Sequence, residues 1–357
     1  MNSVAPGLDD RLHRPDKIAV LVDALAAEGV PAAQVLAGSG IDEASLLDAA
    51  TRVSVRQLLA AHGNAQRLSR DPALALRTGE RIRITHFGMY GYALLASATP
   101  RQAIDFAIRY RALASPLIGL AFALDGDEAV WSFDDVLGLG TGSDLFRFIF
   151  ELQLGTQMSL HRDLLGAALS PTRVRASYAA PPHAARYGEL LGCPVDFDAG
   201  ANELRFDARW LDHSLAFANP ITAAVVQQTC DQLLAEMRSA AGVAGRLAAL
   251  LLQSPGRFPD IDGAATQLRM TPRTLRRRLT GEGTSFQQVL DTVRRQLAID
   301  YLQRTGMSVD DIASALGFSD SANFRHAFKR WTGRTAGSYR TAAPALSGAP
   351  QPSRADA

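Results

Sequence analysis

The chain has 357 residues, of which 47% are hydrophobic and 20% charged, a composition that excludes a disordered chain and is typical of a two-domain globular protein. The formal net charge of +1 hides a split, since residues 1–254 hold 22 Lys and Arg against 27 Asp and Glu, whereas residues 255–341 hold 14 against 8. An arginine excess confined to one region favours a phosphate-bearing partner for that region.

The same composition argues against several classes of protein. Cys193 and Cys230 show neither CxxC spacing nor a neighbouring histidine pair, so we expect small apolar fillers in a reduced cytoplasmic protein, without a zinc site or a disulfide framework. Neither Lys17 nor Lys329 follows a glycine, which excludes a phosphate loop, and residues 138–143 lack the third glycine of a dinucleotide fingerprint. We predict no enzyme, no metal, no cofactor and no membrane partner.

Both ends of the chain differ from its interior. Residues 1–14 and 342–357 are rich in Pro, Ala, Gly and Ser without periodicity, and are predicted to be disordered tails. From Lys17 to about Arg70 the apolar residues recur at helical spacing.

Strand patterns alternate with long helices in the middle of the chain. A hairpin is predicted over residues 117–133, with Asp125 and Gly126 at the turn. Further strands are predicted at 173–179 and 193–207, and long helices at 145–165 and 221–237. We therefore predict an α+β domain over residues 15–230.

The last of these helices carries an apolar stripe, formed by Val225, Leu233, Leu234 and Met237. Such a stripe packs either onto its own domain or onto a second copy of the chain. Homodimerisation is therefore a hypothesis at this point.

Residues 309–331 predict a helix-turn-helix unit. Ser308 is suited to cap a first helix, with Asp310 and Asp311 in its first turn, and Gly317 supplies the backbone freedom needed for a rapid reversal. Ser319 and Asp320 can cap the second helix, whose inner face carries Phe324, Phe328 and Trp331.

Residues 261–281 repeat this plan. Thr271 followed by Pro272 is a strong helix start, and Leu275 and Leu279 form the inner face. Leu275 lies 49 residues before Phe324, its counterpart in the later unit. Residues 286–304 predict a linker helix about 28 Å long, compatible with two recognition helices spaced one turn of DNA, about 34 Å, apart.

At this point the sequence resembles the AraC/XylS family of transcription regulators. The segment SVDDIASALGFSDSANFRHAFKRWTGRTAGSYR is similar to the family signature IAxxxGFxxxSxFxRxFKxxxGxxPxxYR, and MTPRTLRRRL and VRRQLAIDYL match as well. The residues in register are Gly317, Phe318, Phe324, Phe328, Lys329, Gly333, Tyr339 and Arg340. Ala336 departs from the pattern, because the family usually has proline there.

The N-terminal portion resembles the arabinose-binding-type effector domain of regulators similar to those of ornithine utilisation. Residues 91–110 and 181–215 carry that resemblance. It implies an α+β effector domain followed by an all-α DNA-binding domain at about 238–341, in which a linker helix joins two helix-turn-helix units. It also implies double-stranded promoter DNA and a small-molecule effector as partners, with RNA polymerase as a further candidate.

Candidate DNA contacts follow from the starts of the two recognition helices, which meet the groove. The base-edge candidates are Arg273, Thr274, Arg276, Arg277, Ser321, Asn323, Arg325 and His326, and the phosphate candidates are Arg278, Lys329 and Arg340. His326 is equally compatible with a phosphate contact or with an idle surface position. An arginine run outside such a unit is usually only a solvated helix face.

Two hypotheses for the N-terminal domain stay open. In the first it binds a small molecule that modulates transcription, and in the second it only dimerises. The pocket residues of an effector site cannot be predicted from the sequence, because a cavity gathers side chains that lie far apart along the chain.

Overall fold

The computed structural model describes residues 8–114, 116–166, 169–240, 242–332 and 335–337. The predicted C-terminal tail, 342–357, and the first seven residues of the predicted N-terminal tail lie outside the described residues. None of the described helices combines the length and the apolar character needed to cross a membrane.

The N-terminal part is built mainly from helices that begin at recognisable caps. Ser54 and Gln57 form a reciprocal capping box at the third helix, and Thr99 caps the sixth, which begins with Pro100. The helices are α1 (Asp16–Ala26), α2 (Ala32–Val35), α3 (Val55–Leu68), α4 (Leu74–Arg81), α5 (Met89–Ala96), α6 (Pro100–Arg109), α7 (Asp144–Leu165), α8 (Ala184–Leu191) and α9 (Pro220–Ala240).

A five-stranded sheet completes this part, in the order β1-β2-β5-β3-β4. The strands are β1 (Gly119–Asp125), β2 (Glu128–Asp134), β3 (Arg173–Arg175), β4 (Val195–Asp196) and β5 (Glu203–Asp207). All neighbours are antiparallel except β3 and β4. The predicted hairpin is present as β1 and β2, with Asp125 opposite Glu128 across a tight turn.

Helix α7 lies in the middle of the N-terminal core and is buried on several faces between Phe146 and His161. It approaches α4 so closely that a Cβ added at Gly79 would lie 2.3 Å from the Leu152 carbonyl oxygen, and one added at Gly155 would lie 2.2 Å from the Leu76 oxygen. Only glycine fits at this crossing. The contact places α7 beside the N-terminal helices.

The prediction of a disordered tail over residues 1–14 is wrong from Leu8 onward. His13 and Val53 exchange backbone hydrogen bonds of 3.0 and 2.7 Å, and the Arg56 guanidinium lies 2.6 Å from the Asp9 carboxylate. These partners are about 40 residues away along the chain, so composition and local periodicity could not indicate them.

The C-terminal part contains helices alone among its described residues and has a separate apolar core. Its helices are α10 (Val243–Leu252), α11 (Ile261–Gln267), α12 (Pro272–Gly281), α13 (Phe286–Arg304), α14 (Val309–Ala315) and α15 (Ser321–Thr332). The predicted fold class, an α+β domain followed by an all-α domain, is confirmed.

Candidate nucleic-acid interface

The first helix-turn-helix unit consists of α11 and α12. Between them Arg269 takes a left-handed conformation with φ of 56°, and the Thr271 hydroxyl then accepts a hydrogen bond from the Thr274 amide at 3.2 Å. Leu275 and Leu279 are buried on the inner face of α12. The cap predicted at Thr271 and Pro272 is present.

The second unit consists of α14 and α15. Ser308 and Asp311 form a capping box at the start of α14, and Gly317 reverses the chain with φ of 69°. The Asp320 carboxylate accepts a hydrogen bond of 2.7 Å from the Asn323 amide and so caps α15. Phe324 and Phe328, on the inner face of α15, are fully buried.

Helix α13 fixes the turn of the second unit through Arg294. The Arg294 guanidinium donates hydrogen bonds to the carbonyl oxygens of Leu316, at 3.0 Å, and Gly317, at 3.2 Å. It also lies over the Phe318 ring, 4.7 Å from the centroid. Burial lowers the pKa of Arg294, but a guanidinium stays charged at neutral pH.

Glu282, just after α12, holds the first unit to α10. Its two carboxylate oxygens accept hydrogen bonds from the backbone amides of Val243, at 2.7 Å, and Ala244, at 2.8 Å. A carboxylate at the start of a helix satisfies amides that have no partner within that helix and interacts favourably with the helix dipole. The carboxyl end of the recognition helix α12 is thus attached to the amino end of α10.

The outer face of α12 is strongly basic. Arg273, Arg276, Arg277 and Arg278 are all exposed, and among the described residues none of them has a hydrogen-bond or ion-pair partner. Thr274 is half-buried, and its hydroxyl shares a hydrogen bond of 2.9 Å with that of Thr271. Four guanidinium groups therefore stand free on one short helix.

The outer face of α15 is more mixed. The Asn323 side-chain amide donates to Ser319 Oγ at 3.2 Å and to Asp320 Oδ2 at 2.7 Å, so it belongs to the cap. Arg325 lies 3.7 Å from the Asp310 carboxylate in an exposed pair, which contributes little to stability.

Of the other predicted contacts, His326 and Lys329 are exposed, Ser321 is half-buried, and Arg340 lies outside the described residues. Sequence reasoning missed the participation of Asn323 in the cap and the contacts of Glu282 and Arg294, since each depends on how the chain folds locally or on a distant partner.

The buried thiols do not suggest a reactive site. Cys193 and Cys230 are both buried, and burial raises the pKa of each thiol to about 11. Within the described part of the chain, no three His, Cys, Asp or Glu side chains come together in a way that could hold a metal ion.

Comparison with known proteins identifies the chain. Residues 29–215, more than half of it, match the family model of the arabinose-binding domain of AraC transcription regulators, N-terminal part. The chain belongs to the AraC family of transcription regulators. Residues 264–342 of this AraC-family regulator match a helix-turn-helix domain model.

Two relatives found by sequence agree with this assignment. The ornithine utilization regulator of Pseudomonas aeruginosa is 39% identical over 78% of this chain and 81% of its own length. An uncharacterised HTH-type transcriptional regulator of Mycobacterium tuberculosis is 30% identical over 90% of this chain and 94% of its own. The crystal structure of the transcriptional regulator CdpR from Pseudomonas aeruginosa aligns over 90% of this chain and 96% of its own, with 26% identity and a TM-score of 0.47. The two sequence relatives are regulators rather than enzymes, and the chain is a DNA-binding transcription regulator with an N-terminal effector domain.

Proposed function

We propose that this AraC-family regulator recognises promoter DNA by placing α12 and α15 in two successive major grooves on one face of the duplex. The observation that carries the proposal is the exposed face of α12, where four arginines have no partner among the described residues. Arginine is the side chain best suited to bidentate contact with guanine. On α12 we assign base contacts to Arg273, Thr274, Arg276 and Arg277, and a phosphate contact to Arg278.

Helix α15 supplies the second set of contacts. The proposed base contacts are Ser321, Asn323, Arg325 and His326, and the proposed phosphate contacts are Lys329 and Arg340. Asn323 would have to exchange its bond to Asp320 for a base, so we assign it the smallest share of specificity. The recognition helix with free arginines, α12, would then contribute more specificity than α15.

A matched pair of variants on α12 tests this assignment. Arg277→Ala is expected to weaken binding to the specific site by about 1 to 3 kcal/mol and binding to random DNA much less. Arg278→Ala, the control, is expected to weaken both to a similar extent and to reduce the salt dependence of binding. Titration of both DNAs at several salt concentrations measures the effects. Equal losses on both DNAs for Arg277→Ala would contradict its role as a base contact.

We also propose that two copies of the chain associate through the start of α9. Phe217, Ile221 and Val225 are 69%, 78% and 59% exposed, although large apolar side chains are usually buried. Ile221 and Val225 lie four residues apart on α9, and Phe217 lies in the turn that precedes the helix, whereas Val226 and Cys230 of α9 are buried in their own domain. A helical stripe of this kind can pair with the same stripe of a second copy about a two-fold axis.

The oligomeric state tests this surface. Ile221→Glu is expected to convert a dimer into a monomer, because it places a charge within the apolar stripe, whereas Gln227→Glu, at another exposed position on α9, is expected to leave the dimer intact. Sedimentation equilibrium of the full chain measures both. A dimer that persists in Ile221→Glu, or a wild-type chain that is monomeric at all concentrations, would refute the proposal.

A regulator bound beside a promoter lies within reach of RNA polymerase, and we propose the polymerase as a further partner. Because its target is promoter DNA, we expect the protein to act in the cytoplasm. The effector is the remaining partner, and the N-terminal domain is where it would bind.

A further inference from the structure

Two cavities adjoin inside the N-terminal domain. The first, the apolar cavity, has a volume of about 40 Å³, and the second, the lysine cavity, about 90 Å³. Each is large enough for more than one water molecule. Phe87, Ala114 and Gln153 line both cavities, so the two are neighbours.

The apolar cavity lies between α7, the sheet and helices α5 and α6. Its walls are mostly aliphatic and aromatic, including Leu160 and Phe206. Two polar atoms of its lining residues, Trp131 Nε1 and His161 Nδ1, are buried and have no hydrogen-bond partner within the described ranges.

The lysine cavity contains a cation without a counter-ion. Lys17 Nζ donates a hydrogen bond to the Ala114 carbonyl oxygen and lies 4.4 Å from the centroid of the Phe87 ring. No carboxylate among the described residues forms an ion pair with Lys17, because the adjacent Asp16 pairs with Arg14 at 2.6 Å.

The charge of the lysine cavity follows from the titration of its neighbours. Burial lowers the pKa of Lys17 to about 8, which leaves the ammonium mostly protonated at pH 7. Burial, together with the charge of Lys17, lowers the pKa of His13 and His62 to about 4, so both imidazoles are neutral. Arg14 and Asp16 offset one another. The ammonium of Lys17 remains as a positive charge without an ion-pair partner in the part of the chain that the structure describes.

We propose that the two cavities together form the effector site, and that it takes a small monocarboxylate with an uncharged, apolar body. The carboxylate would pair with Lys17, and the body would pass Phe87 into the apolar cavity, where it would contact Leu160. A diamino acid such as ornithine fits less well, because no carboxylate side chain among the described residues lines the apolar cavity to pair with a second ammonium group. This inference rests on the proposed function, in which the N-terminal domain binds an effector.

Direct binding to the full chain tests the inference. The probes are octanoate and benzoate, their uncharged counterparts octanol and benzyl alcohol, and L-ornithine, each titrated by calorimetry. We expect both carboxylates to bind at least about tenfold more tightly than their alcohols, since only they pair with Lys17.

Variants locate the two halves of the site. Lys17→Met is expected to remove the preference for carboxylates and to leave alcohol binding unchanged. Leu160→Phe, which fills the apolar cavity, is expected to weaken carboxylates and alcohols alike. Arg81→Met removes an exposed cation of the same domain and is expected to change neither. Because the preference for carboxylates is measured on the wild-type chain, it tests the site even where a variant fails to fold.

Four results would overturn the inference: no binding of either carboxylate, equal binding of carboxylates and alcohols, unchanged carboxylate binding by a folded Lys17→Met variant, or binding of L-ornithine alone. Operator binding measured without any probe separates this inference from the proposed function. If the wild-type chain binds its operator but neither carboxylate, the proposed effector site is rejected and the DNA-binding assignment stands. If the wild-type chain binds no DNA site specifically, the DNA-binding assignment itself is rejected.

Discussion

Three histidines of the N-terminal domain are held neutral by burial. His13, His62 and His161 are 6%, 3% and 8% exposed, and burial lowers the pKa of each from 6.5 to about 4. The nitrogens His13 Nε2 and His161 Nδ1 are buried and find no hydrogen-bond partner among the residues that the structure describes. Each histidine therefore resists protonation in the folded state and not in the unfolded state.

This difference predicts a loss of stability in acid. Between pH 6.5 and about 4 the unfolded chain binds more protons than the folded chain, so the free energy of unfolding falls as the pH falls through that window. The slope is at most about 1.4 kcal/mol per pH unit for each histidine. Above pH 6.5 these groups contribute no further pH dependence.

Denaturant unfolding at a series of pH values measures this slope. His161→Leu is expected to reduce it by about a third, because one of three histidines no longer titrates. A slope that His161→Leu leaves unchanged would show that other groups, such as paired carboxylates, dominate the acid response.

At the scale of elements, the two helix-turn-helix units place a left-handed residue at the same point. Arg269 lies two residues after the end of α11, and Gly317 lies two residues after the end of α14, with φ of 56° and 69°. Glycine adopts this conformation without steric cost, whereas arginine does not. The first turn is therefore strained where the second is relaxed.

Opposite substitutions at the two turns are expected to have opposite effects. Arg269→Gly should raise the free energy of unfolding by about 1 kcal/mol, because it relieves the strain. Gly317→Ala should lower it by about 1 to 2 kcal/mol, since it introduces that strain and places a Cβ 3.2 Å from the Gly256 oxygen. Urea unfolding of the two variants measures both changes. A destabilised Arg269→Gly variant would show that the Arg269 side chain makes a stabilising contribution larger than the strain.

Local signals explain why these units could be predicted from the sequence. The caps at Thr271 and at Ser308 involve residues three apart, and the buried Leu275 and Phe324 follow from helical spacing. The prediction could not include Arg294 or Glu282, whose partners lie 22 to 39 residues away. Ala336, where the family usually has proline, is buried in the C-terminal core.

The N-terminal site depends even more on long-range contacts. Lys17 comes from α1, Phe87 follows α4 and Gln153 belongs to α7, so the lysine cavity exists only once these segments pack together. The sequence places each of them in a helical or loop segment without indicating that they meet. For this reason the DNA-binding surface is open to prediction from the sequence and the effector cavity is not.

At the scale of the whole molecule, the helix that joins the two recognition units also touches the N-terminal domain. Arg295 on α13 donates a hydrogen bond of 3.0 Å to the Val136 carbonyl oxygen, beyond β2. Val136 packs closely against Gly119 in β1, and the adjacent Leu120 lines the apolar cavity. A continuous set of contacts therefore connects that cavity with the element that spaces the recognition helices.

The central claim is that α12 and α15 read two successive major grooves. Hydroxyl-radical footprinting of the operator, with base-methylation interference, measures this most directly for the wild-type chain, Arg277→Ala and Arg325→Ala. At protein concentrations that saturate the operator, we expect two protected segments about 10 base pairs apart on one face of the duplex, with each variant weakening a different segment. A single protected segment, or the loss of both segments together in each variant, would contradict it.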